Sequence, residues 1–227
     1  VSVSEGIRQN NDNQKHIFIK SFFNTVQLVM AGNDLEGLAY AAVETAEKYY
    51  LKWKEAGEEH NKEFPWLLQA TAAVRQQAEK FSLPLDRNLV EMLNQERLIE
   101  IIHDFVVFDR GQKKICRPNQ YFGVKAAQDF VRRRENGILW HTQGSGKSLT
   151  MVWLSKWIRE NFHDARVLII TDREELDEQI AKVYRGVNEE IYRTSSGKDL
   201  LNRLNETTPL LMCSLIHKFG GKEETDE

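Results

Sequence analysis

The stretch that decides the fold is Gly137-Ile138-Leu139-Trp140, followed by His141-Thr142-Gln143-Gly144-Ser145-Gly146-Lys147-Ser148. A loop that wraps phosphate aims successive backbone N–H groups at one point, which needs positive φ and no side chains in the way. Gly144 and Gly146 supply both. Ile138, Leu139 and Trp140 read as a buried strand entering the loop, and Lys147 to about Asn161 reads as a helix leaving it. That helix start adds the positive end of its dipole. Thr142, Gln143, Gly144, Ser145 and Gly146 are expected to cradle phosphates, Lys147 to reach the β- and γ-phosphates, and the Ser148 hydroxyl to hold Mg²⁺. The expected ligand is a nucleoside triphosphate, ATP, with Mg²⁺. A Gly-Lys-Ser in a surface turn is the bland alternative, and the strand before and helix after argue against it. One position departs from GxxxxGK[ST]: His141 stands where the first glycine would be.

Outward from the loop, apolar strands alternate with helices. Arg166-Val167-Leu168-Ile169-Ile170-Thr171 lacks polar alternation, as a strand covered on both faces does. A helix from Glu174 to Tyr184, a weak strand at 190–192, a helix near 198–204 and the strand Pro209 to Ser214 follow. This order predicts an α/β fold, a parallel sheet with helices on both faces. Upstream, Arg117-Pro118 opens a helix through Arg134. Residues 63–105 read as helical, with Leu89, Met92, Leu93, Leu98, Ile101, Ile102 and Phe105 at three- and four-residue spacing, and Ser82-Leu83-Pro84-Leu85 as punctuation. Residues 1–62 begin with a polar helix from Glu5 to about Gln14. Two strand-like stretches, 25–30 and 38–43, flank the turn residues Ala31-Gly32-Asn33-Asp34. So little sheet reads as the edge of a larger one.

The composition, 41% hydrophobic and 29% charged over 227 residues, is that of a globular protein with a core. A net charge of −3 excludes a bulk polycation, so any nucleic-acid surface is local. Residues 105–136 hold eight Lys or Arg against three acids, which suits a phosphate-facing surface and a solvated basic face equally. Cys116 and Cys213 make no disulfide framework or metal pair, which points to a reducing compartment, the cytoplasm. No apolar run approaches a membrane span. The start without Met and the polar tail from Lys222 to Glu227 read as ends cut from something longer.

Three runs together resemble the R subunit of type I restriction enzymes. The first is Phe105 to Asp109, then Lys114 to Ala127, then Leu139 to Ser148. The others are Val167 to Gln179 and Leu211 to Gly220. The resemblance implies an N-terminal nuclease domain joined to a superfamily-two, RecA-like motor that pumps double-stranded DNA with ATP, beside methyltransferase and specificity subunits. On that basis residues 1–62 correspond to the end of the nuclease domain, 63–110 to a helical connector and 111–227 to most of the first motor lobe. Arg117 and Gln120 resemble the adenine-reading Q motif, a task that suits an amide able to donate and accept; a Gln on a solvated helix start is the alternative. Thr171 and Arg173 fall at motif Ia, which contacts the DNA backbone, although Arg173 pairing with Glu174 or Asp177 explains it as well. Ser214 and His217, expected just past the last strand, fall where motif Ic touches DNA; for a lone His a structural role is the alternative.

The resemblance also marks what to miss. No apolar strand ending in Asp-Glu follows Ser214, and Glu223, Glu224, Asp226 and Glu227 sit in a polar tail. No Asp with a following Glu-x-Lys occurs in residues 1–62. Gln9 matches the Gln of the family's QxxxY element, but Asn13 stands at its Tyr. Glu5, Gln9 and Gln14 read as a solvated helix face. The expectation is an ATP-binding portion inactive by itself. A P-loop kinase and a nucleotide-binding interaction module are the competing classes.

Overall fold

The computed structural model describes residues 1–55 and 65–219. They form two compact units: Val1–Val107 with Gln112–Trp140, and Phe108–Gly111 with the chain from His141 onward.

The first unit opens with α1 (Val3–Asn13), capped by the Ser2 hydroxyl, which accepts from the Glu5 backbone N–H at 3.2 Å. Val3 and Ile7, one turn apart, bury against Ala31 and Ala39 of an antiparallel hairpin, β1 (Val29–Asn33) and β2 (Gly37–Ala41). The turn lies later than the sequence suggests because Asn33 closes it: its Oδ1 accepts from the backbone of Leu35 at 3.0 Å and Glu36 at 2.7 Å. Gly37, at φ +77°, completes the reversal. A short third strand, β3 (Leu51–Lys52), pairs with β2. Gln14 corrects an expectation: it is buried, donating to the Asn10 carbonyl at 3.0 Å and accepting from the Glu44 N–H at 2.5 Å. Gln9 is exposed as expected.

Helices α2 (Pro65–Ala78), α3 (Pro84–Met92) and α4 (Gln95–Asp104) fill the expected helical region, with Pro84 in the first turn of α3. A hairpin unseen in the sequence follows, β4 (Val106–Asp109) and β5 (Gln112–Ile115), turned at Arg110 and Gly111 with φ of 52° and 79°. Helix α5 (Pro118–Arg133) stands where Arg117-Pro118 places it and ends on left-handed Arg134.

The second unit holds α6 (Lys147–Asn161), β6 (Val167–Thr171), α7 (Glu174–Gly186), β7 (Tyr192–Arg193), α8 (Gly197–Asn205) and β8 (Leu211–Leu215). The sheet is parallel in the order β6-β8-β7, and β8 is buried throughout. Val152 of α6 and Ile180 and Tyr184 of α7 pack on Leu211 and Cys213, which alternate onto one face of β8. Arg166 ties the far end of the sheet to α8. Its guanidinium donates to the carbonyls of Arg203 at 2.6 Å, Leu204 at 3.2 Å, Glu206 at 2.6 Å and Pro209 at 3.3 Å.

One expectation fails. Residues 137–140 form no strand, and Ile138 and Trp140 are 92% and 88% exposed. A strand exists through its ladder, and residues 137–140 have none among the described strands.

Candidate nucleotide-binding site

The loop forms as its glycines dictate. Gly144 and Gly146 sit at φ of 76° and 84°, and Gly146 is the N-cap of α6. A Cβ on Gly144 would meet nothing within 4 Å, so the loop is open there. No side chain caps α6, and within the loop the Ser145 N–H donates to the Thr142 carbonyl at 3.3 Å. The Lys147 ammonium folds back and donates to the carbonyls of His141 at 3.1 Å and Thr142 at 2.9 Å. It thus lies across the loop that Thr142, Gln143, Gly144, Ser145 and Gly146 build. The Ser145 hydroxyl is buried without a hydrogen-bond partner. Ser148 stands half-buried in the first turn of α6. Two positive-φ glycines, an uncapped helix start, one ammonium and one hydroxyl fit a triphosphate with its Mg²⁺. Behind the loop, Ser155 of α6 and Tyr184 of α7 join their hydroxyls at 2.9 Å, and burial pushes the Tyr184 phenol up to about 12.

Arg117 and Gln120 belong to the first unit. Arg117 is the exposed N-cap of α5, and Gln120, only 2% exposed, turns its Oε1 back to accept from the Arg117 N–H at 2.8 Å. Half of a capping box is therefore present; a guanidinium has no acceptor to supply the other half.

At the carboxyl edge of the parallel sheet, Thr171 ends β6 opposite Leu215. Its hydroxyl is buried and without a partner. Arg173 is the N-cap of α7, its side chain 73% exposed and 3.5 Å from Asp172. Asp177 is not its partner. That carboxylate, 3% exposed, accepts from Arg193 Nε at 2.6 Å and from Cys213 Sγ at 2.5 Å, pinning α7 to β7 and β8. Burial, and then the Asp177 carboxylate, push the Cys213 thiol up to about 12. Nothing in the acidic run Glu174, Glu175, Asp177, Glu178 singles out Asp177 before folding. Ser214 needs a correction of place: it lies inside β8, 1% exposed, accepting from the Thr194 hydroxyl at 2.8 Å, because the ladder with β6 runs on to Leu215. His217 is exposed in the 3₁₀ turn Ile216–Phe219. The acidic tail from residue 220 onward lies outside the described residues, and no described helix is long and apolar enough to cross a membrane.

Residues 119–227, from the first turn of α5 through all of the parallel sheet, match the SWI2/SNF2 ATPase family. The HindI endonuclease subunit of a type I restriction enzyme from Haemophilus influenzae is 32% identical over 139 residues, 53% of this chain and 12% of that protein. The SauCOLORF180P endonuclease subunit from Staphylococcus aureus is 32% identical over 131 residues, 55% of this chain and 14% of its own. A provisionally named type I subunit of Methanocaldococcus jannaschii, MjaIXP, is 32% identical over 154 residues, 63% of this chain and 15% of its own. Over these stretches the chain is similar to type I restriction endonuclease subunits. It spans 12–15% of the length of these type I relatives. Its phosphate loop, α6 and the three parallel strands all fall within the ATPase-like segment.

Proposed function

We propose that this chain is the ATP-binding portion of a type I restriction R subunit, an ATP-driven translocase of double-stranded DNA coupled to DNA cleavage. The observation that carries the proposal is the open loop with Gly144 and Gly146 at positive φ, Lys147 across it and α6 uncapped behind it, inside an ATPase-like segment. Residues 111–227 are then most of a RecA-like first motor lobe, 63–110 a connector and 1–62 the end of a nuclease domain. The ATPase match beginning at residue 119 supports the first of these boundaries. The parent enzyme works in the cytoplasm with methyltransferase and specificity subunits.

Bound ATP with Mg²⁺ supplies the transferable phosphoryl group and the charge that the loop neutralises. The chain's own residues do the holding. The backbone N–H groups at the start of α6 would hold phosphate oxygens, Lys147 would supply its ammonium to the β- and γ-phosphates, and the Ser148 hydroxyl would hold Mg²⁺. Gln120 reads adenine while its Oε1 keeps the Arg117 N–H, since an amide oxygen has two lone pairs. Arg173 and His217 touch the DNA backbone from the carboxyl edge of the sheet, with Thr171 beside them and Ser214 bracing that edge from within β8. Such contacts carry no base information. Because no apolar run ending in Asp-Glu follows Ser214 in the sequence, the chain alone is expected to bind nucleotide without appreciable turnover.

A titration with a fluorescent ATP analogue tests the site. Lys147→Ala removes two charge-assisted phosphate contacts and should weaken binding roughly 100-fold. Equal affinities for the variant and the parent chain would sink the assignment.

A further inference from the structure

At the carboxyl edge of the parallel sheet one buried residue gathers the chain that leaves β8. Thr194, 3% exposed, follows β7 and commits all three of its polar groups to that segment. Its backbone N–H donates to the Cys213 carbonyl at 3.0 Å, its hydroxyl donates to Ser214 Oγ at 2.8 Å, and its carbonyl accepts from the Lys218 ammonium. The first two bonds lengthen the join between β7 and β8. The third reaches past His217 and fastens the 3₁₀ turn Ile216–Phe219.

A second contact holds the same turn without using charge. Gly197 opens α8, and a Cβ there would lie 2.5 Å from the Lys218 carbonyl oxygen. The start of α8 thus packs directly on the backbone of the turn, and a side chain at 197 would push the two apart. That helix start is itself anchored. Ser196 caps it through the Asp199 N–H at 3.1 Å, and Asp199 accepts from the Tyr192 hydroxyl of β7 at 3.0 Å.

A 3₁₀ turn this short has little hydrogen bonding of its own, so its path depends on what grips it from outside. The ladder with β6 fixes it at Leu215, and Thr194 and Gly197 fix it at Lys218. His217 stands between these two fixed points and is exposed. Lys218 is half-buried with its ammonium on Thr194, which suits a brace more than a hand held out to solvent.

We infer that Lys218 and Gly197 are positioning residues for His217, holding the turn at the sheet edge so that the imidazole meets a DNA phosphate in a fixed place; this rests on the proposed backbone contact of His217 and adds the residues that set its geometry. All of them belong to the second unit.

The test is binding of a short fluorescein-labelled DNA duplex to the full chain. His217→Ala should weaken binding about fivefold, and Lys218→Met and Gly197→Ala about threefold each. Lys218→Arg keeps a donor for the Thr194 carbonyl and should retain most of the affinity. In the His217→Ala background, Lys218→Met and Gly197→Ala should add little, because they act through the imidazole. Gly197→Ala removes no charge, so its loss should leave the salt dependence unchanged, whereas a direct phosphate contact by Lys218 would lower the salt slope by about one in Lys218→Met. Lys218→Met carries the test if Gly197→Ala does not fold. If the two variants cost as much without the imidazole as with it, or cost nothing while His217→Ala weakens binding, the inference is overturned. If His217→Ala leaves duplex binding unchanged, the backbone contact of His217 itself fails, and the positioning role falls with it.

Discussion

The loop of residues 141–148 and the helix start of residues 117–121, the two candidate recognition elements, are built by different means. The loop is largely exposed and shaped by its backbone: glycines at positive φ set the path, and Lys147 donates to carbonyls of the loop itself. At the helix start Gln120 and Tyr121 are buried, and Glu100, Arg97, Glu55 and Trp53 stand around Tyr121. On the proposed reading, phosphate would be met by backbone dipoles, which a short sequence can encode. The surroundings of Gln120, by contrast, are distributed over residues from Trp53 to Lys125.

The contrast predicts where substitutions hurt. The largest effect is on folding at the helix start. Arg97 and Glu55 have side chains only 7% and 9% exposed, so Arg97→Ala leaves a buried carboxylate unpaired. Destabilisation of about 3–5 kcal/mol is expected, read by urea denaturation. Lys147→Ala, which strips an exposed side chain bonded only to its own loop, should shift stability by less than about 0.5 kcal/mol. Comparable losses for the two would erase the distinction.

Next in size is the loop backbone. Gly144 at φ +76° has open space around a notional Cβ, so Gly144→Ala meets no clash and suffers only the left-handed backbone penalty, about 1–2 kcal/mol. Phosphate affinity should fall, with the preference for ATP over GTP unaltered; a changed preference would mean the loop reads the base.

The smallest effect is on acidification of the second unit, where side-chain capping lies near the surface. The Asp199 carboxyl is held below its ordinary value by the Ser195 backbone N–H first, and by the Tyr192 and Ser195 hydroxyls. That stabilisation is complete above the ordinary carboxylate range and is lost as pH falls through the depressed folded value. Asp199→Asn should flatten the acid limb of a thermal-midpoint profile. An unchanged limb would mean that these bonds do not form in solution.

Much of the second unit was legible because its elements are locally encoded: Val167–Thr171 and Leu211–Leu215 are apolar without alternation, and Gly146-Lys147 starts a helix by chain geometry. The hairpin Val106–Ile115 was not, since Lys113 and Lys114 mask a strand whose turn depends on Arg110 and Gly111 at positive φ. Residues 137–140 look like a strand for the same local reason that Val167–Thr171 does, yet only one of the two has a partner. Ser214 reads as a strand-end hydroxyl until the register with Thr171 draws it inside.

By itself the sequence determined the path of the glycine loop, because backbone conformation follows from glycine placement within eight residues. It also determined the order of helices and strands, because apolar periodicity is a local property. Only the tertiary structure decided which acid of an acidic helix is buried, Asp177 among its neighbours, and which carboxylate bonds to the helix start, Glu100 through Tyr121. Those choices depend on partners 16 to 36 residues away, and burial, not residue type, is what separates them from the solvated charges beside them.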